Sequence, residues 1–380
     1  MTATVQTPAA VAAATDFPAP GTFFLPGPTE VRPEVLAAML QPMISHRGKA
    51  FEALFARVQE GLRAVFHTER PVYVSSSSAT GLMEAAVRCG PPGPQLAVVG
   101  GAFGERFAHI GRACEREVDV LDVPLGRAAD LDQVADRLRA RRYAIVTVVH
   151  SESSTGALTD VRGVGALARE HGAQCLVDSV TGAGGAELRV DEWGFGFALT
   201  GSQKALALPP GLAFGVASAE YIRTAAGARA RGMYFDLAEF EEFAHKHQTP
   251  NTPALPLIYA LDAQLARIRE ETIAARWARH TAMAERTHGW AEGNAERLGT
   301  GVFAPPGERS PTVTAVTLPD GVTGDQVVKA VKARGFTVGG GYGKVKSRTF
   351  RIGHMGDHTV DGVARCLAAC EDALTELIRR

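Results

Sequence analysis

The sequence predicts an α/β protein in which a mostly parallel seven-stranded sheet covered by helices forms the larger part, followed by a smaller C-terminal α+β domain. Three observations carry this expectation. Up to about residue 255, short apolar runs alternate with longer stretches of helical periodicity. Strands joined through helices of that length need crossover connections, which lay the strands parallel and cover both faces of the sheet. At 380 residues and 46% hydrophobic content the chain is long enough for one large core and a second, smaller one.

The elements follow in order. Residues 1–20 are rich in Ala, Thr and Pro and contain neither Lys nor Arg. They lack the charged start of a secretory signal and the arginines of an organellar presequence, and are expected to form a disordered tail. Phe51, Leu54, Phe55, Val58, Leu62 and Val65 recur at helical spacing, and residues 71–74 then read as a strand entering a serine-rich turn. Further strands are expected at 96–99, 118–123, 143–149, 174–177, 197–200 and 212–216, with helices at 80–88, 107–116, 131–139 and 161–171. These make residues 21–255 the large domain with its N-terminal arm. Residues 256–380 supply a linker helix and the small domain: a helical region over 255–297, a strand at 311–318, a helix at 324–334, a short strand at 350–352 and a closing helix from Thr359.

The formal net charge of −1 gives no broad electrostatic footprint for nucleic acid or an anionic membrane, which leaves small-molecule chemistry. No apolar run reaches membrane-spanning length. The five cysteines, Cys89, Cys114, Cys175, Cys366 and Cys370, show no metal-ligand spacing, and their odd number argues against a complete disulfide framework. No metal site is expected, and a reducing cytoplasm is the expected location. Cys366 and Cys370, four apart, read as small core residues of the last helix.

The chemistry begins with Lys204, in Gly201-Ser202-Gln203-Lys204, just past one apolar strand, and Asp178, at the end of another. A pyridoxal-phosphate enzyme needs such a pair: an amine that condenses with the cofactor aldehyde, and a carboxylate that keeps the pyridine nitrogen protonated. Three turns keep them company. Ser75-Ser76-Ser77-Ser78-Ala79-Thr80-Gly81 opens a helix with small residues and hydroxyls, where backbone N–H groups can approach a phosphate. Gly100-Gly101-Ala102-Phe103-Gly104-Glu105-Arg106 places an aromatic ring at the edge where open α/β sheets bind ligands. His150-Ser151-Glu152-Ser153-Ser154-Thr155-Gly156 ends a strand with polar groups that need partners.

Together with Pro26-Gly27-Pro28, Ser45-His46-Arg47, Asn251-Thr252-Pro253 and Phe350-Arg351-Ile352-Gly353-His354-Met355-Gly356, this ordered set resembles the class V aminotransferases of PLP fold type I. The nearest likeness is to their alanine–glyoxylate, serine–pyruvate and serine–glyoxylate branch, and it covers the chain from about residue 22. The resemblance implies pyridoxal 5'-phosphate as cofactor, Lys204 as Schiff-base lysine and Asp178 as partner of the pyridine nitrogen. It puts Phe103 in the stacking position, Ser153 near the pyridine ring, and Ser78, Ala79, Thr80 and Gln203 on the phosphate side. Asn251 and Thr252 match a segment lent to a neighbouring subunit's phosphate, which implies a homodimer with shared sites. Arg351 matches the arginine that holds the substrate α-carboxylate, with Gly27, His46 and Arg47 also on the substrate side.

The activity so implied is a ping-pong transfer of the amino group of a small amino acid, alanine or serine, to a 2-oxo acid, glyoxylate or pyruvate. The alternative is phosphoserine with 2-oxoglutarate, since His46 and Arg47 lie in a segment that also resembles a phosphate-binding stretch of phosphoserine aminotransferases. A desulfurase or other lyase is disfavoured: Gln203 stands where desulfurases carry a histidine, and no cysteine falls between Cys175 and Cys366. A non-enzymatic binding module would require loss of Lys204, Asp178 or Arg351. Lys344, Lys346 and Arg348 read as solvated loop charges.

Overall fold

The computed structural model describes residues 19–229 and 231–379, so residues 1–18 of the expected tail lie outside it. The main sheet has seven strands in the order Tyr73–Ser75, Ala213–Ala217, Phe197–Gly201, Gln174–Asp178, Ile145–Val149, Gln95–Val99 and Val118–Asp122. All pairings are parallel except those of Ala213–Ala217, which runs against both neighbours. That strand returns from Phe197–Gly201 without an intervening helix, through a turn at Gly211 with φ +133°, and so cannot make the crossover that a parallel strand needs. Four of the five-residue strands are buried at every position, which is why they read as mostly apolar runs rather than alternating ones.

The topology decides where side chains meet. The parallel strands Gln95–Val99, Ile145–Val149, Gln174–Asp178 and Phe197–Gly201 all end at one edge. Tyr73–Ser75, antiparallel to an antiparallel strand, points the same way. The segments starting at Ser76, Gly100, His150, Asp178 and Ser202 are therefore gathered at the carboxyl edge of the sheet, where open α/β folds bind ligands.

The helical region expected over 255–297 is divided into Leu255–Glu271, Ile273–Gly293 and Ala295–Leu298. The first break is Thr272, at φ +67°, whose side chain accepts from the Ala275 N–H and caps the second helix. Arg276 on that helix is almost fully buried. It donates to Glu271, to Asp357 and to the Ala205 carbonyl, tying the helix to the residue after Lys204.

A second sheet of five strands runs Phe23–Phe24, Thr337–Gly340, Thr349–Gly353, Val313–Thr317 and Gly301–Val302. Phe24, Val316, Phe350 and Ile352 pack with Met283, Leu367 and Leu374 in its core. The closing helix Val360–Arg379 buries Cys366 and Cys370 there, and all five cysteines are free. Because Phe23–Phe24 is the edge strand of this sheet, the chain leaving it runs directly across to the lysine loop. Thr29 N–H donates to the Gln203 carbonyl at 2.9 Å and its hydroxyl to the Lys204 carbonyl at 3.0 Å. Among the described residues no helix is long and apolar enough to cross a membrane.

Candidate active site

Lys204 lies in a loop closed by its neighbours. The Ser202 hydroxyl donates to the Pro209 carbonyl at 2.7 Å and accepts from Leu212 N–H at 3.2 Å, and Ala207 N–H donates back to the Lys204 carbonyl at 2.8 Å. The side chain is 9% exposed, and its amine donates to the Pro26 carbonyl. Gly27, at φ +125°, makes room for it: a Cβ there would stand 2.6 Å from Lys204 Cδ and Cε. Burial lowers the amine to about 8, helped by the Arg351 guanidinium and opposed by Asp178 and Glu152.

Asp178 ends its strand at 2% exposure. Oδ1 accepts from Val180 N–H at 2.8 Å, while Oδ2 has no hydrogen bond among the described residues. Burial raises this carboxyl to about 6, against the pull of the Val180 N–H. The Asp178 carbonyl accepts from His150 N–H, and His150 Nδ1 lies 2.9 Å from the Ser179 hydroxyl, so the strand end is held on both sides of the carboxylate.

The Phe103 ring has its centroid 6.0 Å from the Lys204 amine and 4.8 Å from Arg106 Cζ. It opens the helix Ala102–Ala113, whose first-turn N–H groups are satisfied from fifty residues away. Glu152 accepts from Phe103 N–H at 3.1 Å and Gly104 N–H at 3.3 Å, and the Ser154 hydroxyl accepts from Ala102 N–H at 3.2 Å while donating to Glu152 at 2.5 Å. Burial pushes the Glu152 carboxyl up, and these donors pull it back. A side chain on Gly101 would collide with this pair, since its Cβ would fall 2.6 Å from Glu152 Cδ and Ser154 Oγ.

At the expected phosphate side, Ser78 is the N-cap of the helix Ala79–Cys89, with no cap hydrogen bond from its side chain. The N–H groups of Ala79 and Thr80 have no hydrogen-bond partner among the described residues. Arg106 Nη1 approaches the Thr80 hydroxyl at 3.4 Å, and the Gln203 amide packs against Gly201. Arg351, on Thr349–Gly353, donates through Nε to the Gly340 carbonyl at 2.8 Å and through Nη1 to the Ser153 carbonyl at 2.9 Å, leaving Nη2 uncommitted. The Ser153 hydroxyl, like that Nη2, has no hydrogen-bond partner among the described residues. A buried amine, an unspent carboxylate oxygen, an open helix N-terminus and a guanidinium with a free edge fit a cofactor carrying an aldehyde, a ring nitrogen and a phosphate, together with a carboxylate substrate.

His46, Arg47, Asn251 and Thr252 stand apart from this group. No hydrogen bond, ion pair or ring contact joins them to Lys204, Asp178 or Arg351 among the described residues. Arg47 donates to Gln248 at 3.0 Å, the Thr249 carbonyl at 2.7 Å and the Pro250 carbonyl at 2.9 Å, with Phe243 beneath it. It thereby holds the segment that leads into Asn251 and Thr252.

Sequence reasoning did not assign roles to Glu152, Ser154, Arg106, Tyr342 or the Pro26 carbonyl. Glu152 and Ser154 belong to a polar cluster that is visible in the sequence, but their targets on the helix Ala102–Ala113 are remote. Tyr342 follows Gly339-Gly340-Gly341, and its neighbour Lys344, expected to be solvated, is exposed but paired with Glu105 at 2.9 Å.

Comparison with known proteins agrees with the expected resemblance. The profile of the family "Aminotransferase class-V" matches residues 23–348. The chain is 36% identical to an uncharacterized aminotransferase of Methanocaldococcus jannaschii, over 93% of this chain and 92% of that one. It is 30% identical to the L-aspartate–glyoxylate aminotransferase of Paracoccus denitrificans, over 93% and 91%. The crystal structure of an alanine–glyoxylate aminotransferase from Nostoc sp. superposes with a TM-score of 0.87 at 31% identity, covering 96% of this chain and 97% of that one. With PLP fold type I architecture and a family profile over most of its length, the chain belongs to the class V aminotransferases.

Proposed function

We propose that this transaminase uses pyridoxal 5'-phosphate to move the amino group of a small amino acid onto a short 2-oxo acid such as glyoxylate or pyruvate, in a ping-pong scheme. The observation that carries the proposal is the buried Lys204 amine, set over the Phe103 ring and within the fields of the Asp178 carboxylate and the Arg351 guanidinium. Relatives named for glyoxylate as acceptor support that half of the reaction. The bound cofactor supplies an aldehyde that condenses with amines and a cationic ring that withdraws electrons.

The chain's residues do the rest. Asp178 Oδ2 holds the proton on the ring nitrogen, and the Ala79 and Thr80 N–H groups with the Ser78 hydroxyl receive the phosphate. Gln203 lies beside that phosphate site, and Phe103 covers the ring. Ser153, whose carbonyl accepts from Arg351, would orient the ring. Arg351 binds the substrate carboxylate, with Gly27 leaving space beside the lysine. Lys204 would move a proton from the substrate α-carbon as base and return one as acid. A lysine near 8 suits both roles at neutral pH better than one at its usual value. Because only the neutral amine attacks an aldehyde, capture of the cofactor by cofactor-free protein should accelerate up to about pH 8 and then level off. Stopped-flow absorbance checks this; acceleration continuing past pH 10 would show an ordinary exposed lysine.

A phosphoserine substrate needs a second cation for its phosphate. Arg47 spends three donors on the segment before Asn251, which favours the small-amino-acid reading. The test is a panel of alanine, serine, aspartate, glutamate and phosphoserine against glyoxylate, pyruvate and 2-oxoglutarate. Arg351→Ala should lower kcat/KM about a hundredfold for every amino acid, the scale of one charge-assisted contact. A comparable loss in Arg47→Ala confined to phosphoserine would transfer the assignment to that substrate.

We also propose a homodimer in which the unit formed by His46, Arg47, Asn251 and Thr252 serves the neighbouring subunit's site. The surface around it supports this reading: Leu40 and Met43 are 86% and 65% exposed. Sedimentation under assay conditions should give a dimer, and an active monomer would contradict the assignment.

A further inference from the structure

One side chain touches both the ring that stacks and the arginine that binds. Tyr342 lies with its ring centroid 6.1 Å from that of Phe103, the planes 14° apart, and Arg351 Cζ stands 5.2 Å from its centroid. It is 40% exposed, and its phenol hydroxyl has no hydrogen bond among the described residues. The backbone around it is fixed from two sides. Gly340, two residues earlier, accepts from Arg351 Nε, and the following 3-10 turn Gly343–Arg348 is clipped to the helix bearing Phe103 by the Lys344–Glu105 pair. A cavity of about 250 Å³ adjoins the tyrosine, lined by Ala102, Leu125, Ser154, Thr155 and this ion pair. The pair compensates its own charge. The Ser154 and Thr155 hydroxyls are already spent on Glu152.

We propose that Tyr342 is a specificity-determining residue: its ring braces the Arg351 guanidinium, and its free phenol selects a carboxylate substrate whose short, uncharged side chain carries a hydroxyl. The inference rests on the assignment of Arg351 to the substrate carboxylate. The Arg351 guanidinium lies against the Tyr342 ring, and the phenol is the one side-chain hydroxyl of this cavity lining without a partner among the described residues. A lone phenol offers a hydrogen bond but no countercharge, so it leaves a second carboxylate on the substrate without neutralisation.

The test uses the holoenzyme with two unreactive probes, propionate and 3-hydroxypropionate, which lack the amino and keto groups and differ by one hydroxyl. Calorimetry should show wild type binding 3-hydroxypropionate about tenfold more tightly, the scale of one neutral hydrogen bond. Tyr342→Phe should erase that preference and leave propionate binding unchanged, whereas Tyr342→Ala should weaken both. In turnover, Tyr342→Phe should lower kcat/KM for serine relative to alanine by the same factor. A preference that survives Tyr342→Phe, or unchanged affinities in Tyr342→Ala, overturns the inference while leaving Arg351 in place. If neither probe binds wild type, while Arg351→Ala leaves amino-acid kcat/KM unchanged, the Arg351 assignment fails and this inference falls with it.

Discussion

Replacing Lys204 with alanine should lower turnover by on the order of ten-thousandfold or more, the combined scale of losing the covalent amine and the proton-transfer group. No second lysine is placed at the site among the described residues; Lys344 is exposed and paired with Glu105. Folding should survive, because among the described residues the Lys204 side chain makes no ion pair and its one hydrogen bond is to the Pro26 carbonyl. The cofactor should still bind through its phosphate and ring, without a covalent link. Steady-state rates beside cofactor retention on dialysis check this, and activity within tenfold of wild type would remove Lys204 from the mechanism.

Asp178→Asn should cost about a hundred- to thousandfold in kcat, the scale of one preorganised charge at the reacting group. The amide keeps the shape and can still accept from Val180 N–H, but it cannot hold a proton on the ring nitrogen. Stability should move the other way. In the cofactor-free protein burial raises this carboxyl from 3.8 to about 6, so the folded state holds its proton more tightly than the unfolded state. Ionisation therefore destabilises the fold progressively from about pH 4 to 6 and fully above that. Cofactor-free Asp178→Asn should accordingly be at least as stable as wild type above pH 6, with no gain below pH 4. Thermal unfolding across that range separates a residue kept for chemistry from one kept for structure; a large loss of stability at pH 7 with normal kcat would make Asp178 structural.

The parts of this molecule visible in its sequence are those whose determinants are local. Strands such as Ile145–Val149 announce themselves because burial on both faces favours an apolar residue at nearly every position. Lys204 and Asp178 stand out because each follows such a run and a parallel sheet brings strand ends together. Elements fixed by distant partners are hidden. Phe23–Phe24 is two residues long and exists as a strand only through Thr337–Gly340, itself half glycine. The helix Ala102–Ala113 begins five residues before the expected start, because Glu152 and Ser154 supply the cap that Gly101 lacks. The single helical region expected over 255–297 breaks at Thr272, where a β-branched residue takes a positive φ that periodicity does not register. Arg47 shows the same limit within the site: its type and position suit a substrate anion, yet three backbone and side-chain oxygens of residues 248–250 take its donors.

The most direct test of the account is borohydride reduction of the purified holoenzyme followed by peptide mapping. Reduction should bleach the visible absorbance band and leave a single pyridoxyl adduct, on the peptide containing Gly201-Ser202-Gln203-Lys204 and on Lys204 itself. An adduct on another lysine, or none on a protein that nonetheless transaminates, would contradict the assignment of Lys204.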